Sequence, residues 1–281
     1  MTAPLRWPLE AVWEAVAPLL PGFTAEVLPS VDSTNTELMR RARAGRCDPV
    51  LLVAEQQTAG RGRLGRAWHS QTGDSLTFSL GLPLAPADWS GLSLAVGVSV
   101  AESLQPTLPL PGSALPRIGL KWPNDLWLGG AQGDRKLGGI LVETASFVAP
   151  QAAAGHPPPG RYVVVGVGLN VRPQDGAGMS LPPGSLQDVD AQLDAPTALL
   201  RIVAPLVGML QSFAAYGFAP MQPRFALRDV LQGRNVQLSD GTSGTAHGVG
   251  EDGALLVHTA GGMLPVTSSE ISVRPVAASM P

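Results

Sequence analysis

The segment VVVGVGLNV, residues 163–171, sets the terms for the fold. A short valine-rich run with Gly166 and Gly168 at alternate positions reads as a buried strand, and one face of it carries no side chain at the glycines. That bare face suits either a flat ligand or a closely packed helix. Residues 23–28, 50–55, 75–82, 118–121, 126–128, 139–145 and 162–170 read as strands. Between them a helical period runs over 8–20, 35–44, 92–104 and 197–216, with a second helix continuing to 231. Thr34 followed by Glu37 has capping-box spacing for the helix 35–44, and Gly45 suits its C-terminal end. This mixture predicts an α+β domain over 1–231, with helices packed on a mostly antiparallel sheet. From Gly233 the turns SDG, GEDG and TAGG separate short strands with no helical period, which predicts a small all-β barrel over 232–281. A barrel of that size depends on docking against its neighbour. The proline-rich stretches 149–160, read as an exposed loop, and 181–184 receive no function.

A hydrophobic fraction of 44% with 15% charged residues excludes a disordered chain. The net charge of -3 gives no general attraction to nucleic acid or to anionic lipid. Any polyanion site must therefore be a local concentration of cations. The single cysteine, Cys47, forms no internal disulfide and has no metal ligands at suitable spacing, so a reducing cytoplasm is the expected location. His69, His156, His247 and His258 are scattered, and no dedicated metal site is expected. The N-terminal segment MTAPLRWPLEAVWEAVAPLL lacks the parts of a signal peptide, and no uninterrupted run approaches about 18 apolar residues. Neither export nor a membrane partner is expected.

Two further segments carry chemistry. In AEQQTAGRGRLGRAWHS, residues 54–70, Arg61, Arg63 and Arg66 alternate with glycines, and no acidic residue occurs between Gln56 and Gly73. Glycine lets backbone approach a ligand, and guanidinium groups bind phosphate or carboxylate through paired hydrogen bonds. The same loop could be a flexible basic turn or an RNA-contacting Arg-Gly segment, and without a Lys-Ser/Thr ending it is no Walker A loop. In GLKWPNDLWLGG and RKLGGILVE, within residues 119–143, Lys121 and Lys136 would lie near opposite ends of one hairpin beside Asn124 and Asp125. Taken alone, Pro-Asn-Asp is ordinary turn chemistry and both lysines could be solvated.

Together these motifs stand in one order: Ser-Thr-Asn at 33–35, GRGRLGRAW at 60–68, KWPND at 121–125, RKLGGILVE at 135–143 and GVGLN at 166–170. In that order and over 30–275 the chain resembles the bacterial biotin protein ligases. The resemblance implies a class II synthetase-like α+β ligase domain with a C-terminal SH3-like barrel. It implies an enzyme that activates biotin with ATP to biotinyl-5'-AMP and transfers biotin to a lysine of a biotin carboxyl carrier domain. By the same resemblance, Ser33, Thr34, Asn35 and Gln57 bond the ureido end of biotin, while Gly139, Gly166 and Gly168 shape the slot for its rings. Arg61, Gly62 and Arg63 would close over the biotin carboxylate and the adenylate phosphate, and Lys136 would touch both. Arg63, Arg66, Trp68, Lys121, Asn124, Lys136 and Asn170 would complete the ATP side, with Trp68 near the adenine. Lys136, Arg63 and Asp125 are the expected catalytic residues, Asp125 as the acid-base group for the acceptor amine.

The chemistry requires such residue types, because a carboxylate attacking the α-phosphorus of ATP brings two anions together and cations must offset their repulsion. Mg²⁺ is expected on the triphosphate. Family members include monomers and sheet-edge homodimers. A lipoate ligase is the nearest alternative within the same chemistry. A DNA-binding repressor is a second reading, but only about thirty residues precede Ser33, too few for a helical DNA-reading module. A pure binding module contacting RNA is a third, against which the acidic pI near 5.8 argues.

Overall fold

The computed structural model describes residues 5–110, 112–130, 133–146, 160–176, 181–267 and 273–276. Most of the proline-rich stretch 149–160 lies outside them. Seven strands form one sheet: β1 (Thr24–Leu28), β2 (Val50–Ala54), β3 (Ser75–Leu84), β4 (Arg117–Lys121), β5 (Asp125–Gly129), β6 (Arg135–Ser146) and β7 (Arg161–Asn170), in spatial order β1-β2-β3-β7-β6-β5-β4. Every neighbouring pair is antiparallel except β1 with β2. The valine-rich β7 lies at the centre, paired along its length with β3 and β6, as its buried character requires.

Helices cover both faces. On one, α3 (Leu92–Leu104) and α4 (Ala195–Tyr216) pack together over β3, β4 and β6, with α1 (Leu9–Val16) against α4. On the other, α2 (Thr34–Arg43) lies over β3, β6 and β7. The period-2 rule divides β7 between the two layers. Val163, Val165 and Val167 enter the main core, while Tyr162 and Val164 pack with Leu38, Met39 and Ala42 of α2. The helix expected to continue to 231 is much shorter. A single α-helical turn, α5 (Gln222–Ala226), is followed by an extended segment in which Leu120 donates to Arg228 O at 2.7 Å and Val230 donates to Leu120 O at 3.1 Å. This segment thereby covers the edge strand β4.

At 22 residues and a mean hydropathy of 1.6, α4 has the length and composition of a membrane-crossing helix, which a search for uninterrupted apolar runs passes over. Its apolar stripe, Leu199, Ile202, Val203, Leu206, Leu210 and Phe213, is buried in the core of the protein instead.

The C-terminal region forms a second, all-antiparallel sheet of β8 (Asn235–Leu238), β9 (Ser243–Val249), β10 (Leu255–Thr259), β11 (Gly262–Val266) and β12 (Val273–Pro275), ordered β11-β10-β9-β8-β12. It docks on the first domain at a close backbone approach, where a Cβ on Gly253 would lie 2.7 Å from the Gly91 Cα. Beside it Trp122 Nε1 donates to Gly253 O at 3.1 Å, so the small sheet rests directly on the KWPND turn. Because Phe213 is fully buried in the α3/α4 layer, Phe213→Ala should cost about 3–5 kcal/mol of stability by loss of burial and cavity formation. Urea unfolding of the two proteins measures the difference.

Candidate active site

A cleft, open at its mouth, lies on the α2 side of the sheet. It exists because β7 runs out of side chains there. Beyond Tyr162 and Val164 the next two positions on that face are Gly166 and Gly168. A Cβ at Gly166 would lie 2.1 Å from Asn35 Oδ1, and one at Gly168 would lie 2.6 Å from the Trp68 indole. The flat groups against these glycines are therefore the protein's own amide and indole.

One end of the cleft is lined by uncharged hydrogen-bonding side chains. Helix α2 is capped by Ser33, whose hydroxyl accepts from Thr36 N, one residue before the Thr34 cap expected from spacing. The Glu37 carboxylate pairs with Arg40 and Arg41 rather than completing a capping box. Ser33, Thr34 and Asn35 are each 3% exposed, at the positive end of the helix dipole. Gln57 Oε1 accepts from Thr34 N at 2.8 Å, and Ser79 Oγ lies 2.7 Å from Thr34 Oγ1 while donating to Asn35 Oδ1 at 2.6 Å. Asn35 Nδ2 donates to Leu141 O at 3.1 Å and to Glu143 Oε2 at 2.9 Å. This network holds the helix N-terminus against β3 and β6.

The other end is cationic. Residues 60–68 form a hairpin: Trp68 N donates to Gly60 O, Gly62 N donates to Arg66 O, and Arg61 bridges to Ala67. At its tip Leu64 has φ 55, a left-handed conformation costly for a leucine, and its side chain is 59% exposed. Arg61, Arg63 and Arg66 of this hairpin line the cleft together with Lys136, the second residue of β6. Lys136 Nζ donates to Asp125 Oδ1 at 2.8 Å, across the two strands. Gly139 sits in register with Asp125, and a Cβ there would lie 3.5 Å from the Asp125 carboxylate. Burial lowers Arg63 from its ordinary value, with Asp125 opposing and Arg66 adding to the shift.

The cleft lining brings together Ser33, Thr34, Asn35, Gln57, Arg61, Gly62, Arg63, Arg66, Trp68, Asn124, Asp125, Lys136, Gly139, Gly166 and Gly168. Lys121 and Asn170 lie outside that lining. Lys121 stands behind Asp125, with its ammonium 5.4 Å from the Trp127 ring centroid. Asn170 Nδ2 donates to Lys136 O at 3.1 Å and to Gly184 O at 3.0 Å. The proline-rich stretch 181–184, given no role from sequence, completes this clamp: Lys136 N donates to Pro182 O and Gly184 N donates to Lys136 O. The peptide that carries the Lys136 ammonium is thus held from both sides. Trp68 Nε1 is buried with no hydrogen-bond partner among the described residues.

Sequence reasoning passed over Ser79 and Glu143. For Ser79 a signal was present, because Ser75, Thr77 and Ser79 put three polar side chains on one face of an otherwise apolar strand, and all three are buried. Glu143, closing the RKLGGILVE run, resembles a solvent-facing strand residue until the fold sets Asn35 beside it.

A large, mostly antiparallel sheet, a helix N-terminus opposite a cationic hairpin, and a separate small β-sheet make up an α+β architecture. The sequence model of the Biotin/lipoate A/B protein ligase family matches residues 27–154, and that of the Biotin protein ligase C terminal domain matches residues 233–274. The bifunctional ligase/repressor BirA of Escherichia coli is 34% identical over 91% of this chain and 75% of its own. The biotin--[acetyl-CoA-carboxylase] ligase of Paracoccus denitrificans is 29% identical over 87% of this chain and 98% of its own. A biotin protein ligase from Aquifex aeolicus, solved in complex with biotin and ATP, superposes with a TM-score of 0.70 at 27% identity, over 90% of this chain and 99% of that one. The chain belongs to the biotin protein ligase family.

Burial pushes the Lys121 ammonium down from 10.5 to about 8; Lys136, Arg66 and Arg63 act in the same direction and Asp125 opposes them. Between these two values the unfolded chain holds a proton that the folded protein has released. Stability should therefore rise with pH across that window, by up to about 3 kcal/mol from this group. Urea unfolding at intervals from pH 7.5 to 10.5 should show the rise in the wild type and its loss in Lys121→Met.

Proposed function

We propose that this chain joins biotin to ATP, forming biotinyl-5'-AMP and pyrophosphate, and then transfers the biotinyl group to a lysine of a biotin carboxyl carrier domain. The observation that carries this reading is the charge imbalance of the cleft. Among the described residues that line the cleft, Asp125 is the one carboxylate beside Lys136, Arg63 and Arg66, with Lys121 behind it, while the opposite end offers uncharged hydrogen-bonding side chains. A molecule with a polar, uncharged head and a carboxylate tail fits that polarity, and a nucleotide phosphate beside the tail would offset the surplus positive charge. The biotin and ATP bound to the Aquifex aeolicus relative, and the carboxylase named for the Paracoccus denitrificans one, support the same assignment.

In this reading Ser33, Thr34, Asn35 and Gln57 define the ureido end of the biotin site, and Gly139, Gly166 and Gly168 keep its floor low. A biotin carboxylate oxygen attacks the α-phosphorus, the bond to the bridging oxygen breaks and pyrophosphate leaves. Arg61, Gly62, Arg63 and Lys136 hold the reacting carboxylate and phosphate; Arg66, Trp68, Asn124, Lys121 and Asn170 complete or support the nucleotide side. Mg²⁺ carried on the triphosphate would assist departure of pyrophosphate. In the second step the acceptor amine attacks the acyl carbon and AMP leaves. Asp125, whose ion pair with Lys136 loosens as Lys136 turns to the ligand, takes the amine proton.

In this reading residues 1–231 carry the chemistry, the C-terminal unit expected over 232–281 is an SH3-like barrel, and its Gly253 meets the KWPND turn at Trp122. The enzyme works in the cytoplasm as a monomer or homodimer, and its net charge of -3 favours a carrier protein over nucleic acid or a membrane as partner. Incubated with MgATP, biotin and a carrier domain, the protein should modify one lysine; lipoate in place of biotin should give no product. Arg63→Gly should release the adenylate and label many lysines indiscriminately, as mass spectrometry of bystander proteins would reveal. Strict modification of the one lysine by that variant would remove Arg63 from the site.

A further inference from the structure

Glu143 links two parts of the cleft that belong to separate motifs. It follows Leu141 by two residues on β6, so both face the α2 side of the sheet. Its Oε2 accepts from Asn35 Nδ2 at 2.9 Å, and Arg61 Nη2 donates to Oε1 at 3.2 Å and to Oε2 at 3.3 Å. Asn35 cannot move to follow it. The amide is 3% exposed, donates also to Leu141 O, and accepts from the fully buried Ser79. Glu143 therefore has one fixed contact in the scaffold and one in the hairpin.

Arg61 needs such an anchor. Its side chain is 47% exposed and belongs to a hairpin closed by its own hydrogen bonds, so little else restricts its rotamers. We propose that Glu143 is a positioning residue that sets the Arg61 guanidinium at the cleft before an anion arrives, transmitting to it the rigidity of Ser79 and Asn35. Nη2 makes both contacts with Glu143, and a guanidinium has five N–H donors in a planar fork, so Arg61 can keep Glu143 while it turns another edge to a ligand carboxylate or phosphate. Ordering the cation in advance removes that entropy cost from ligand binding. The inference rests on the biotin-activation reading, in which the incoming anion is biotin and then its adenylate.

The test compares wild type, Glu143→Gln, Arg61→Met and the double variant in biotin-dependent adenylate formation and in the rate of adenylate loss. Glutamine retains an acceptor for Asn35 but removes the charge that holds Arg61. Glu143→Gln should raise KM for biotin and speed adenylate loss, each by about three- to fivefold, the scale of a partly exposed ion pair. Its kcat and thermal midpoint should stay at wild-type values, and the double variant should be no worse than Arg61→Met. Additive effects of the two substitutions, a normal KM in Glu143→Gln, or a joint fall of kcat and thermal midpoint would each overturn the role given to Glu143. Failure of the wild type to form any adenylate would instead sink the biotin reading beneath it.

Discussion

Like charges held together in a half-buried place need a counter-anion, and much of this structure is an arrangement for keeping them there until one arrives. The ammonium of Lys121 feels Lys136, Arg66 and Arg63 as repulsive neighbours and Asp125 as the attractive one. Like charges gathered in a partly desolvated place repel more strongly than they would in water. The fold carries this load by distributing it. Lys136 is paired with Asp125, its peptide is clamped by Asn170 and the 181–184 stretch, and Arg61 rests on Glu143. An acid and a nucleotide phosphate would relieve what remains.

The rest of the architecture makes that placement possible. A central strand whose α2 face changes from Tyr162 and Val164 to Gly166 and Gly168 produces a cleft where the sheet would otherwise be covered by side chains. The antiparallel order around β7 then brings motifs far apart in sequence to one rim. The first turn of α2 arrives from one side, the hairpin between β2 and β3 from another, and β5 and β6 supply the Asp125 and Lys136 pair. The small C-terminal sheet touches the same rim through Gly253 and Trp122, so its docking bears on the turn that carries Asn124 and Asp125.

Much of this was legible in the sequence for physical reasons. The helix 92–104 and the strands 162–170 and 75–82 were found because long, apolar elements carry a clear period and clear breakers. The change at Gly233 was visible because turns replace helical spacing. The three arginines stood out by charge in a glycine-rich setting, whereas Lys136 and Asp125 were singled out only through the resemblance to the biotin protein ligases. What escaped were relations set by tertiary contact. The expected helix to 231 gave way to an edge-covering segment because β4 had unpaired backbone groups to satisfy. The ring slot over Gly168 holds Trp68, and the 181–184 prolines hold Lys136 by backbone hydrogen bonds that no side-chain pattern announces. Ser79 and Glu143 gain their roles only once Asn35 stands between them.

The central claim is that this cationic cleft assembles and retains a mixed anhydride of an acid and AMP. Purified protein mixed with biotin and MgATP labelled at the α-phosphate, then passed through a desalting column and analysed by mass spectrometry, tests it most directly. The account predicts biotinyl-5'-AMP recovered with the protein in stoichiometric amount and pyrophosphate released only when biotin is present. Free ATP and unchanged biotin, with no adenylate in any fraction, would contradict it.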